Sequence, residues 1–182
     1  MTDSSRFAGR SIHGVPKHAK EQAAHPTLPI SGCVHIPLAL TPEQTRALPR
    51  TAISDVPIGE DYRGPDDPPP WVGVLLADLI APAQPNADAA WILIGAGPYT
   101  VAAPITTADR IVLCDDLRGD PIAPEAGGPW RLWFADRSYN MGVKWVDRIE
   151  ITRDEPDHSA ERIAEARQRA RDFHRRIDSA DT

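Results

Sequence analysis

The side chains able to do chemistry in this chain are scattered acids, imidazoles, a tyrosine and two thiols. The adjacent carboxylates Asp115 and Asp116, with Tyr99, His35 and the N-terminal His13, His18 and His25, could serve as general acids or bases. Asp115–Asp116 could equally form a solvated turn ahead of Arg118–Gly119, since short acidic side chains hydrogen-bond their own backbone. Neutral imidazoles suit zinc, copper or iron, but the spacings of these histidines match no zinc pattern, and no metal ligand is assigned. The two cysteines, Cys33 and Cys114, lie far apart without paired metal-site spacing and read as buried or half-buried thiols. A disulfide between them is not expected in a reducing compartment.

These groups must be held by a turn-rich body. The 182 residues, with 41% hydrophobic content, suit one domain with a core of its own. Nineteen prolines and twelve glycines favour short strands and many turns over a helical bundle. A net charge of −6 leaves no basic excess for neutralising phosphates, so nucleic acid is excluded as an unassisted partner. No apolar run is long enough to span a bilayer, and Met1–Arg6 lacks the apolar stretch of a secretory signal. A cytoplasmic location without membrane attachment is the expectation.

Residues 1–26 are polar and read as an arm with limited structure of its own; residues 27–155 form the body, and residues 156–182 an amphipathic helix. A first β element is expected from Ile30 to Leu38. Thr41-Pro42-Glu43-Gln44 then opens a short helix, with Thr41 as N-cap, Pro42 in the first helical position and Gln44 closing a capping box. Thr51–Ile58 reads as a strand. The acidic, Pro-rich run from Gly59 to Pro70 is a loop, and Trp71–Ile80 is an apolar stretch entering a helix. Trp91–Ile94 and Thr100–Ile105 bracket Gly95-Ala96-Gly97-Pro98 as a hairpin. Arg110–Leu113, Trp130–Phe134 and Lys144–Ile151 supply further strands, the last carrying the Lys144–Trp145 pair. In the tail, Ile163, Ala166, Ala170, Phe173 and Ile177 recur at three- and four-residue intervals, a narrow helical seam. It could dock on its own domain or support a homodimer; two of its positions are alanine, too little for an independent zipper.

The order of these segments resembles the molybdopterin-binding domain of the sulfite oxidase family from Ile30 to Ile151. Ile30–Thr41 is similar to the family's opening strand and helix entry. Trp71-Val72-Gly73-Val74-Leu75-Leu76-Ala77-Asp78-Leu79 resembles its Trp-Thr-Gly-Val motif with Val72 for threonine. Tyr99–Ile105 resembles the strand bearing its tyrosine, and Leu113–Pro124 resembles the segment ending Asn-Gly-x-Pro-Leu-Pro. Gly119–Phe134 followed by Gly142–Glu150 resembles its C-terminal half. The resemblance implies an α+β, β-rich fold. It implies Tyr99 and His13 as catalytic-side residues and Lys144, Arg10 and Arg131 as residues toward a molybdopterin cofactor. Lys144 would be a point charge on a phosphate; read on its own it is equally a strand lysine whose stem packs on Trp145.

The departures from the family are as informative. The metal-ligating cysteine belongs between Thr51 and Trp71, and no cysteine stands there; Cys33 and Cys114 are in other strands. Within Thr51–Gly64, Asp55, Glu60 and Asp61 offer hard oxygen ligands, a poor exchange for a soft thiolate. A basic residue that precedes the family's Lys-Trp motif is replaced near Met141. The reading adopted is a small-ligand-binding or non-redox catalytic protein on this scaffold, without bound molybdenum. The alternatives are a molybdenum-cofactor oxidoreductase with an atypical ligand set, or a catalytically silent partner subunit. A pocket lined by Tyr99, Lys144 and Arg10 would favour ligand binding; Trp71, Trp130 and Trp133 filling that space would favour the silent domain.

Overall fold

A computed structural model describes residues 14–53, 71–134, 142–160 and 162. Within them, α1 (Lys17–Ala24) precedes β1 (Leu28–Gly32) and β2 (Leu38–Leu40); α2 (Pro42–Arg46) leads to β3 (Thr51–Ile53). Next come β4 (Trp71–Leu75), α3 (Leu76–Ile80), β5 (Trp91–Ala96) and β6 (Tyr99–Pro104). The last strands are β7 (Ile111–Leu117), β8 (Asp120–Pro121), β9 (Arg131–Phe134) and β10 (Arg148–Thr152). The architecture is α+β and rich in strand.

Two sheets form. One has the order β2-β1-β10-β5-β6, with β1 and β10 parallel; the other runs β3-β4-β7-β8, with β9 also on β7. The main core lies between them. Leu28, Ile30, Ile92, Ile94, Val101, Ile149 and Ile151 come from the first sheet, and Val74, Ile111, Leu113 and Leu132 from the second. Leu76, Leu79 and Ile80 of α3 join the same cluster. The strand period of two explains the division: Ile111 and Leu113 face this core, while Val112 and Cys114 face a smaller cluster with Trp71, Ile122, Ala126 and Trp133.

Several expected elements are present. Thr41 accepts from the Gln44 amide while the Gln44 side chain accepts from the Thr41 amide, completing the capping box at α2 with Pro42 in the first turn. The hairpin pairs β5 with β6 from Trp91–Pro104 to Ala96–Tyr99. Cys33 is half-buried and Cys114 buried, both as free thiols.

Other elements differ. The stretch from Ile30 to Leu38 is not one strand: Gly32 takes φ +93 and the chain turns before β2. The first residues of Trp71–Ile80 form strand β4, and helix starts only at Leu76. Lys144–Trp145 is not in a strand; Trp145 adopts φ +59 in a turn, and β10 begins at Arg148. The arm holds a helix, α1. Of the C-terminal segment, Ser159, Ala160 and Arg162 are described and helical. Its seam from Ile163 onward, and the Gly59–Pro70 loop, lie outside the described residues.

Candidate functional site

The outer face of the second sheet carries the densest chemistry. Alternation along β9 puts Arg131 and Trp133 on that face, and Arg131 stands opposite Cys114 of β7. The Arg131 guanidinium lies over two indoles, 4.3 Å from the Trp133 ring centre and 4.8 Å from that of Trp71. The rings themselves are tilted, with centroids 5.7 Å apart. Arg131 also donates from Nη1 to the Ala126 carbonyl at 3.0 Å.

That carbonyl belongs to the turn Ala123–Gly128, which brings Lys144 to the same place. The Trp145 amide donates to the Gly127 carbonyl at 2.8 Å, and its indole N–H donates to the Pro124 carbonyl at 2.6 Å. The Lys144 stem runs over Gly127, where a Cβ would come within 2.8 Å of Lys144 Cγ; Gly127 also takes φ +99. Both conditions call for glycine. The Lys144 ammonium is 5.8 Å from the Trp145 ring centre. Its pKa falls below the ordinary lysine value, first because burial disfavours the charge and second because the Arg131 guanidinium is close.

Two cations are thus forced together on a half-covered surface. The indole N–H groups of Trp71 and Trp133 are buried and lack an acceptor among the described residues. Two unpaired indole donors beside two cations suit an anion.

The remaining candidates are placed elsewhere. Asp115 is 1% exposed and fully engaged. It accepts from Arg50 Nη2 at 2.5 Å and Nη1 at 3.3 Å, and from the Thr45 hydroxyl at 2.8 Å. The Trp130 indole in turn donates to Thr45 Oγ1 at 3.3 Å. Asp115 is therefore a structural ion pair and not a proton-transfer group. Asp116 accepts from the Gly119 amide at 2.8 Å and shapes the β7–β8 turn. His25 and His35 are exposed. Tyr99 opens β6 beside the hairpin tip, half-buried against the main core. His18 lies over Gly97 at that tip, where an added Cβ would meet the imidazole at 2.7 Å. Among the described residues no three His, Cys, Asp or Glu side chains converge as a metal site. His13, Arg10, Asp55, Glu60 and Asp61 lie outside the described residues.

The structure therefore brings Lys144 and Arg131 together, while no described contact joins either to Tyr99. Trp130 belongs to the main core, whereas Trp71 and Trp133 are the walls on which Arg131 rests. Trp71 and Trp133 are not among the candidate site residues that the sequence offers. The Arg131-Leu132-Trp133 alternation was the available signal for one of them.

The chain's sequence matches the family described as the oxidoreductase molybdopterin binding domain over residues 68–160, and it belongs to that family. It is 24% identical over 98 residues to the NADPH nitrate reductase of Fusarium oxysporum, a match covering 48% of this chain and 11% of that enzyme. Its fold is similar to that of the sulfane dehydrogenase SoxCD of Paracoccus pantotrophus, with a TM-score of 0.55 and 24% identity. That likeness covers 71% of this chain and 38% of the other, so the chain spans much less than the whole of either relative. Among the described residues no helix is long and apolar enough to cross a membrane.

The residues present fit the family's cofactor in part. Lys144 and Arg131 are suited to its phosphate. The thiols do not suit its metal. Cys33 follows β1 in the other sheet, and Cys114 is buried where desolvation, then the neighbouring Asp115, push its pKa far above the ordinary thiol value. A metal would have to displace that proton inside the apolar cluster of Trp71, Ile122 and Trp133, and the stretch between Thr51 and Trp71 has no cysteine to take its place.

Proposed function

We propose that this chain uses the molybdopterin-binding scaffold to hold a small anionic ligand between Lys144 and Arg131, without molybdenum on a protein thiolate. The supporting observation is the placement of those cations: Lys144 is depressed by burial and by Arg131, and an anion would relieve both. Arg131 would supply planar, oriented donors and Lys144 a point charge. The turn Ala123–Gly128 would hold both in register, because its carbonyls bind Arg131 and Trp145. Tyr99 and His13 are proposed, on the family resemblance alone, as the groups that would move a proton if the ligand is turned over. Family membership favours a second reading, a molybdenum-cofactor oxidoreductase with oxygen ligands from Asp55, Glu60 or Asp61.

Metal content and binding together separate the two. Protein purified from a host that makes the cofactor is assayed for molybdenum and for extracted pterin fluorescence, then titrated with orthophosphate. The expected result is molybdenum far below stoichiometry, with phosphate affinity weakened about tenfold to a hundredfold in Lys144→Ala, as for loss of a charge-assisted hydrogen bond. Near-stoichiometric molybdenum would establish the second reading, and unchanged phosphate affinity in the variant would remove Lys144 from the site.

A further inference from the structure

We propose that α1 is a displaceable cover, seated on the β5–β6 hairpin tip and on the turn that anchors Lys144–Trp145, and that it opens without unfolding the sheets. Eight residues are too few for a helix to persist in water alone, so α1 is ordered only while docked. Its ends add little: Pro16 gives no side-chain cap, and there is no acidic residue in the first turn or basic residue in the last.

The docked face consists of His18, Ala19 and Gln22, and Ala19 is the helix's buried residue. Gln22 donates from Nε2 to the Val146 carbonyl at 2.6 Å, and His18 rests on Gly97. Two polar atoms on this face, His18 Nε2 and Gln22 Oε1, are buried with no hydrogen-bond partner among the described residues. Such groups lose their water on docking and receive nothing in return; lifting the helix returns water to both. Among the described residues the outer face adds an exposed Lys17–Glu21 pair at 3.5 Å, which is worth little. The seat is thus weak because of its own chemistry, as expected of an element that opens locally.

What it covers gives the opening a consequence. Val146 is two residues from Lys144, and α1 also touches Pro124–Ala126, whose carbonyls fix Trp145 and Arg131. Gly97 is tied to Asp147 through its amide and to Arg148 through its carbonyl, so the hairpin tip and the lead into β10 form one surface under the helix. Lifting α1 uncovers that surface and frees the Val146 carbonyl beside the cation pair.

Amide hydrogen exchange of the full chain by NMR, with no ligand added, tests this independently of any bound anion. In the wild type, α1 amides should exchange at least tenfold faster than those of β5 and β10. His18→Leu removes one orphaned nitrogen and should slow α1 exchange by roughly tenfold. Ala19→Lys should accelerate α1 together with the Gly97 and Trp145 amides, while β5 and β10 keep their protection. Wild-type α1 exchanging at the rate of β5 and β10, or His18→Leu failing to slow it, would overturn the proposal. So would Ala19→Lys protein in which the strands lose as much protection as the helix, because α1 would then be integral to the fold.

Discussion

Lys144 holds its proton less tightly in the folded chain than in the unfolded one, because burial and then Arg131 act against its charge. The linkage follows from the direction of that shift. Between the depressed folded value and the ordinary lysine value near 10.4, the unfolded chain binds more protons, so stability rises with pH through that window. Below the window the cost of the charge is fully present. Lys144→Met should therefore be the more stable protein at pH 7, by no more than about 1 kcal/mol because the side chain is half open to screening solvent. Its advantage should shrink as the pH approaches 10.4. Urea denaturation at pH 7 and pH 10 measures both, and an advantage that grows with pH would show that Lys144 is not the strained group. At pH 7, saturating orthophosphate should reverse the order, since only the wild type keeps the ammonium for an anion.

At the scale of elements, the position of Asp115 on β7 decides what it does. It follows the alternation that turns Ile111 and Leu113 toward the main core, at a register shift where Val72 pairs with Asp116 but Gly73 with Cys114. Its carboxylate there meets Arg50 and Thr45, and through Thr45 the Trp130 indole. α2 and the segment after it are thereby tied to the second sheet. Removing one partner from such a pair leaves an uncompensated charge near the core, so Asp115→Ala should cost about 3 kcal/mol. This is the low end of the usual range, because the Arg50 side chain keeps 29% exposure. Phosphate binding at Lys144 should be unchanged while the variant is folded. A loss of binding with stability intact would make Asp115 a site residue after all. Nothing in Asp115–Asp116 as a dipeptide distinguishes the two acids; the partners packed on each face of β7 do.

For the whole molecule, the pairing of β1 with β10 joins the start of the body to its end in a parallel ladder, and the main core is shared by both sheets. Neither sheet can lose its inner face without exposing the other's. Ile149→Ala, at a fully buried position of β10, should cost about 2–5 kcal/mol. It should do so within one cooperative transition, with far-UV dichroism and tryptophan fluorescence changing together. Dichroism reports the strands of both sheets, while fluorescence samples Trp91 of β5, Trp130 in the main core, and Trp71 and Trp133 on the outer face. Separate transitions would mean the sheets are independent units.

The local features legible in the sequence were those whose cause is local. The capping box at Thr41 and the β5–β6 hairpin depend on neighbours or on alternation within a few residues, whereas the α+β class came with the family resemblance. The family was legible because motifs in fixed order survive without coordinates, and the missing cysteine is likewise a fact of sequence. What needed the tertiary structure was whatever depends on residues far apart in the chain. Lys144 leaves its expected strand because Trp145 is pinned to carbonyls at Pro124 and Gly127. The arm becomes a helix because Val146 and Gly97 provide its seat. Arg131 joins a stacked cation–indole cluster because Trp71, sixty positions away, lies beneath it. Charge and hydrogen-bonding capacity belong to single residues, but whether they meet an acid, an indole or another cation is settled by packing between strands that the sequence does not place side by side.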